Sequence, residues 1–145
     1  ERLAAIEFDK WAIAGRGDSM AEGHRPAMTE ATAGWNIDSS SVVVDVGCGN
    51  GYTIDLINSN FKDVNISGLE YNESLLNLAR KKLSNTNVIL NSGDIRDKNS
   101  FSEIKTDIIV CQRVLINLLN YLEVYFLKNL LKLTFVKLYI YHNCH

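Results

Sequence analysis

Between Ser41 and Tyr52 a β-branched run leads straight into glycines at alternate positions, in the stretch Val42-Val43-Val44-Asp45-Val46-Gly47-Cys48-Gly49-Asn50-Gly51. Consecutive valines suit a strand buried on both faces, as in a parallel sheet. Glycines directly after such a strand let the chain turn tightly and let a ligand come close to main-chain N–H groups, because no Cβ stands in the way. Asp45, near the strand's C-terminal end, is positioned to orient that loop or to accept from a ligand amino group. The junction therefore restricts the chain to folds in which a buried strand delivers a loop to the carboxyl edge of a sheet. A glycine loop also occurs as a plain tight turn, so the rest of the sequence has to decide between the two.

The rest alternates. Val64-Asn65-Ile66-Ser67-Gly68-Leu69 reads as a second strand, Val88-Ile89-Leu90 as a third and Asp107-Ile108-Ile109-Val110-Cys111 as a fourth. Helical patterns stand between them, first through Ile54, Leu56 and Ile57 and then from Glu73 to Leu83, with Leu75, Leu76, Leu78, Ala79 and Leu83 on one side. Strands alternating with helices predict an α/β fold with a largely parallel sheet. Leu118 to Leu133 reads as a further helix and Phe135 to Tyr141 as a fifth strand.

Residues 1–40 have no strand pattern and read as a helical lead-in or lid, with residues 41–145 as the α/β unit. Leu3, Ile6, Trp11 and Ile13 mark the expected buried side of the first helix. Ser19-Met20-Ala21-Glu22 has the form of a capping box, Pro26 suits the first turn of another short helix, and Gly34 closes it.

Acidic residues then recur at the strand ends. Glu70 ends the second strand, where a carboxylate can accept from both hydroxyls of a ribose. Asp94 follows the third strand and is placed to accept from an adenine amino group, and Cys111-Gln112-Arg113 closes the fourth strand at the same edge. Each carboxylate alone has an ordinary surface reading. Their order along one sheet edge points to a single ligand site.

These segments together resemble class I S-adenosylmethionine-dependent methyltransferases. The stretch Val42–Gly51 is similar to that family's first motif, Gly68-Leu69-Glu70-Tyr71-Asn72 to its second and Gly93-Asp94-Ile95 to its third, while Asp107–Leu118 resembles the fourth motif and the segment after it. The resemblance implies a Rossmann-like three-layer αβα sandwich with strand order 3-2-1-4-5. It implies S-adenosylmethionine as cofactor, held by Asp45, Gly47, Cys48, Gly49, Gly51, Glu70, Tyr71, Asp94, Ile95 and Gln112. The implied activity is methyl transfer, expected on a small-molecule acceptor. Such domains normally continue into a helix and two antiparallel hairpin strands, which this sequence lacks. The expectation is therefore an incomplete domain, and a catalytically inactive cofactor-binding or partner-binding module is the alternative.

The dinucleotide competitor wants G-x-G-x-x-G, whereas the third glycine here comes one residue sooner, at Gly51, and is followed by the bulky Tyr52. A net charge of -2 gives no bulk attraction for nucleic acid, and no catalytic Asn-Pro-Pro-aromatic segment stands after the fourth strand. No stretch reaches the roughly 18 to 20 apolar residues of a membrane span. Three scattered cysteines, Cys48, Cys111 and Cys144, fit a reducing, cytoplasmic setting better than a disulfide framework. His24 and Arg113 are candidates for a base and for an anion contact, and Trp11 for a wall beside the methionine end of the cofactor. The terminal His142-Asn143-Cys144-His145 has no standard zinc spacing, so no metal site is expected.

Overall fold

The computed structural model describes residues 2–101, 104–112 and 137–141. The lead-in forms two helices, α1 (Arg2–Ile13) and α2 (Arg16–Ala33). Five strands follow: β1 (Val42–Val46), β2 (Asn65–Glu70), β3 (Ile89–Ser92), β4 (Ile108–Gln112) and β5 (Lys137–Tyr141). Helix α3 (Tyr52–Asn60) joins β1 to β2 and α4 (Glu73–Lys82) joins β2 to β3, with a 3₁₀ turn at Lys98–Phe101 before β4. The sheet runs β3-β2-β1-β4-β5, and every pairing among the described strands is parallel. This is the expected Rossmann-like order. The helix expected over Leu118–Leu133 falls outside the described residues.

The valine run puts β1 at the centre of the sheet. Val43, Val44, Asp45 and Val46 are all buried, as are Ile108, Ile109, Val110 and Cys111 on the neighbouring β4. Ile54 and Ile57 of α3 lie in one cluster with Val43, Ile66, Ile108, Val110 and Leu83. A side chain of that size contributes about 1.5–3 kcal/mol when fully buried. On α4 the expected face is the buried one, with Leu76, Ala79 and Leu83 inside and Arg80, Lys81 and Lys82 in the last turn, where cations complement the helix dipole.

The lead-in differs from expectation in three respects. First, α2 begins at Arg16 after Gly15, so Ser19 lies inside the helix and cannot cap it. The amides of Ala14 and Gly15 donate to the Lys10 and Ala12 carbonyls, which ends α1 and lets the next helix start at once. Second, Pro26 sits within α2 rather than at a new helix start. One backbone donor is lost there and the helix continues past it. Third, Ile6 and Ile13 are exposed, Ile13 at 86 %, while Ala12 is the buried contact. The first helix lies against α4, and the Asn72 side-chain amide donates to Asp9 Oδ1 at 3.0 Å. That bond holds the Asp9 carboxyl below the usual carboxylate range. Gly34 does close α2, its amide donating back to the Ala31 carbonyl.

Candidate functional site at the carboxyl edge

Register brings the acidic residues to one edge. Asp45 of β1 lies between Gly68 of β2 and Val110 of β4, and Glu70 at the end of β2 lies beside Ser92 at the end of β3. The loop after β1 turns back over this edge. Its amides do not face outward: Gly47 and Cys48 both donate to the Leu69 carbonyl, at 2.8 and 3.1 Å, and Gly51 donates to the Cys48 carbonyl at 2.9 Å. The Gly49 amide donates to Glu70 Oε2 at 2.8 Å. The expectation that the loop presents N–H groups to a ligand is thus corrected. With these four donors engaged inside the protein, the loop is not an anion cradle of the kind that binds phosphates.

What the edge offers instead is acceptors. Asp45 is 1 % exposed, and neither carboxylate oxygen has a hydrogen-bond donor. Burial pushes its pKa up to about 7, with the negative charge of Glu70 adding to the effect. A buried carboxylate without partners is costly, which sets Asp45 apart from the satisfied polar groups around it. Glu70 is clamped at both oxygens, Oε2 by the Gly49 amide and Oε1 by the Asn72 amide at 2.8 Å. Each oxygen keeps a second lone pair, which is what two neighbouring hydroxyls require.

The loop glycines divide their roles. A Cβ at Gly49 would meet nothing within 4 Å, so that position opens onto free space. Gly51 has a φ of 79°, and a Cβ there would meet Leu83 Cδ1 at 2.9 Å and Ala79 Cβ at 3.1 Å. Its missing side chain serves the packing of the loop on α4. Cys48 is buried, with Sγ 2.7 Å from where a Gly68 Cβ would stand. Burial, followed by the charges of Asp45 and Glu70, pushes its thiol well above the usual range, so it is an inert core group rather than a nucleophile.

Gln112 lies at the same edge, at the end of β4. Its side-chain oxygen accepts from the Thr53 hydroxyl at 2.5 Å and its Nε2 donates to Met28 Sδ at 3.4 Å. The lead-in thus reaches the edge through Met28, which is fully buried. Tyr71 stands 58 % exposed just after Glu70. Asp94 is held by Arg96, and that contact keeps its carboxyl below the usual range. Ile95 is partly exposed between them.

All ten residues singled out from sequence lie at or beside this edge. Sequence reasoning missed Asn72, which holds Glu70 by its backbone and caps α4 by accepting from the Leu75 amide at 2.9 Å. Asparagine before a helical run is a capping signal that could have marked it. Thr53, Met28 and Arg96 carry no comparable signal, since their contacts come from other elements or from a local turn. Trp11 and His24 fall on α1 and α2, while Arg113 and the segment from His142 to His145 lie outside the described residues. No cluster of three or more His, Cys, Asp or Glu side chains able to hold a metal occurs among the described residues. Nor is any helix among them long and apolar enough to cross a membrane.

A parallel sheet in the order 3-2-1-4-5, with a glycine turn after its central strand and carboxylates at its carboxyl edge, defines a Rossmann-like domain. The chain belongs to the methyltransferase domain family, whose profile matches residues 37–136. Among solved structures it is similar to the Haloferax volcanii methyltransferase chain solved in complex with the Trm112 methyltransferase activator, with a TM-score of 0.72 and 23 % identity over 85 % of this chain and 53 % of that one. It is also similar to magnesium protoporphyrin IX methyltransferase from Synechocystis with bound SAH, with a TM-score of 0.63 and 21 % identity over 77 % of this chain and 52 % of that one. A third is phosphoethanolamine N-methyltransferase 1 from Haemonchus contortus in complex with phosphoethanolamine and S-adenosylhomocysteine, with a TM-score of 0.73 and 13 % identity over 96 % of this chain and 31 % of that one. The chain thus spans about half the length of the first two and less of the third. No curated protein matches the sequence.

Proposed function

We propose that this domain binds S-adenosylmethionine at the carboxyl edge of its sheet and transfers the methyl group to a small-molecule acceptor in the cytoplasm. The observation that carries the reading is the pair of buried carboxylates beneath an open glycine, Asp45 without any donor and Glu70 with one lone pair left on each oxygen. A ligand suited to that pair brings an ammonium and a vicinal diol, and an aminoacyl nucleoside has both. A pyrophosphate would meet acceptors where it needs donors.

In this reading Asp45 takes the amino group, Gly47 and Gly49 leave room above the loop, and Glu70 takes the ribose hydroxyls. Tyr71, Asp94 and Ile95 flank the adenine, and Gln112, fixed by Thr53 and Met28, lines the methionine end. Cys48 and Gly51 support the loop from beneath. When bound, the cofactor supplies an electrophilic methyl group on a sulfonium centre. The protein's part is to hold the donor in line and keep the cleft dry, so that proximity and fixed dipoles supply the rate.

Isothermal titration with S-adenosylhomocysteine tests the binding step. Wild-type protein is expected to bind, and Glu70→Ala to bind at least tenfold more weakly, since a hydrogen bond to a charged group contributes about 1.5–3 kcal/mol. Folded wild-type protein that does not bind, or unchanged affinity in Glu70→Ala, refutes the reading. Methyl transfer across an acceptor panel then tests turnover.

A further inference from the structure

Resting on the cofactor reading above, we propose that Arg96 is an internal occupant of the adenine subsite, a side chain that must leave before the cofactor seats. Asp94 and Tyr71, two of the three residues on the adenine side of that reading, are both engaged by Arg96. The guanidinium donates through Nε to Asp94 Oδ1 at 2.8 Å and to Oδ2 at 3.0 Å, and through Nη2 to Oδ2 at 2.5 Å. The Arg96 backbone amide adds a bond to Oδ1 at 2.9 Å. A carboxylate has about four lone-pair sites. Three N–H groups of one residue make these contacts, with Nε shared between the two oxygens, so an exocyclic amine reaching Asp94 competes with them.

The same guanidinium lies over the Tyr71 ring, 5.3 Å from its centroid. That is the stacking distance of a cation–π contact, and it covers one face of an aromatic side chain that is otherwise exposed. Arg96 thereby uses at once a hydrogen-bonding edge and a ring face, the two features by which an adenine is recognised. The segment is short and locally ordered: the Asp94 amide donates to Ser100 Oγ at 3.1 Å and the Asp97 amide to the Asp94 carbonyl at 3.0 Å. The Asp94 main chain is thus held by bonds that do not involve the guanidinium, and the Arg96 amide still reaches Oδ1 when the guanidinium leaves. The ion pair is partly exposed, with side-chain exposures of 29 % and 27 %, so its own contribution is small.

The test uses the full chain and two ligands, S-adenosylhomocysteine and adenosine, the second lacking any charged group. Arg96→Ala is expected to bind both about fivefold more tightly than wild type, the factor that corresponds to ~1 kcal/mol for a pair of this exposure. Arg96→Lys, which keeps the charge but cannot make the fork, is expected to fall between the two. Adenosine affinity of the wild type is expected to rise with ionic strength as the pair is screened, and that of Arg96→Ala to stay flat. Should Arg96→Ala fail to fold, the lysine variant and the salt dependence carry the same comparison. Unchanged or weaker binding in the variants, with wild-type binding intact, overturns the inference alone and makes Arg96 a bystander or a ligand contact. Folded wild-type protein that binds neither compound overturns the cofactor reading and this inference together.

Discussion

Replacing Asp45 with asparagine is expected to flatten the pH dependence of both folding and cofactor binding. The carboxyl is buried without a donor, and its pKa is pushed up to about 7 from an ordinary 3.8. For an acid whose folded pKa is raised, the neutral form is the one the fold favours. Its stability contribution is complete below the unfolded pKa and is lost as pH rises through the folded pKa. The window is therefore about pH 4 to 7. A gap of about three pH units corresponds to roughly 4 kcal/mol at pH 8, an order-of-magnitude figure and a large share of a domain's net stability. Urea unfolding at pH 4 and pH 8 measures it. Wild type is expected to lose stability over that range relative to Asp45→Asn, whose neutral amide cannot titrate. The same group gives binding the opposite slope. If a ligand ammonium pairs with the ionised carboxylate, affinity for S-adenosylhomocysteine rises about tenfold per unit up to pH 7 and then levels, with a proton released on binding. Asp45→Asn binds weakly and without that slope. Parallel wild-type and variant stability curves, or pH-independent wild-type affinity between 6 and 8, would show that Asp45 neither titrates nor meets the ligand.

Two further substitutions separate the scaffold from the site. Gly51→Ala forces a side chain to a φ of 79° and sets its Cβ 2.9 Å from Leu83 Cδ1 and 3.1 Å from Ala79 Cβ. It is expected to cost about 2–4 kcal/mol in chemical denaturation, and a loss under ~0.5 kcal/mol would contradict the packing role given to this glycine. Asn72→Ala removes the cap on the Leu75 amide and the bond to Asp9 but leaves its own backbone bond to Glu70 possible. Stability should drop by about 1 kcal/mol while affinity for S-adenosylhomocysteine stays within about twofold, and a large loss of affinity at unchanged stability would reverse that assignment.

The sheet is legible in the sequence because its signals are local and redundant. Residues 43–46 are buried on both faces and flanked by a loop with three glycines at positive φ, so composition and turn chemistry agree on one strand. The apolar pattern ends β2 one residue early, within the usual drift of element boundaries, whereas the capping box starts α2 four residues late, beyond it. The lead-in is harder. Its first helix is amphipathic by count, yet Asp9 bonds to Asn72 while Ile6 and Ile13 stand exposed. Periodicity records which residues are apolar. It does not record which face a neighbouring helix happens to meet, and Asn72 lies more than sixty residues away.

The site shows the same division between what a residue type implies and where its groups are used. Glycines at 47, 49 and 51 imply a close approach, but they do not say what approaches, and the amides that suggest a donor loop turn inward. In the function proposed above, what selects the ligand class is the carboxylate pair. Glu70 holds the loop through Gly49 and so draws one amide away from any anion, while Asp45 stays unsatisfied a strand away. The Gly49 bond is thus the point where the scaffold sets chemistry. With it in place the edge is rich in acceptors and suits a cationic, hydroxyl-bearing ligand. Were it absent, the freed amide and the dipole of α3 would favour a negatively charged one. That the acidic residue sits at the end of β2, close enough to reach the loop after β1, follows from the parallel register Val46↔Leu69, which no reading of either segment alone contains.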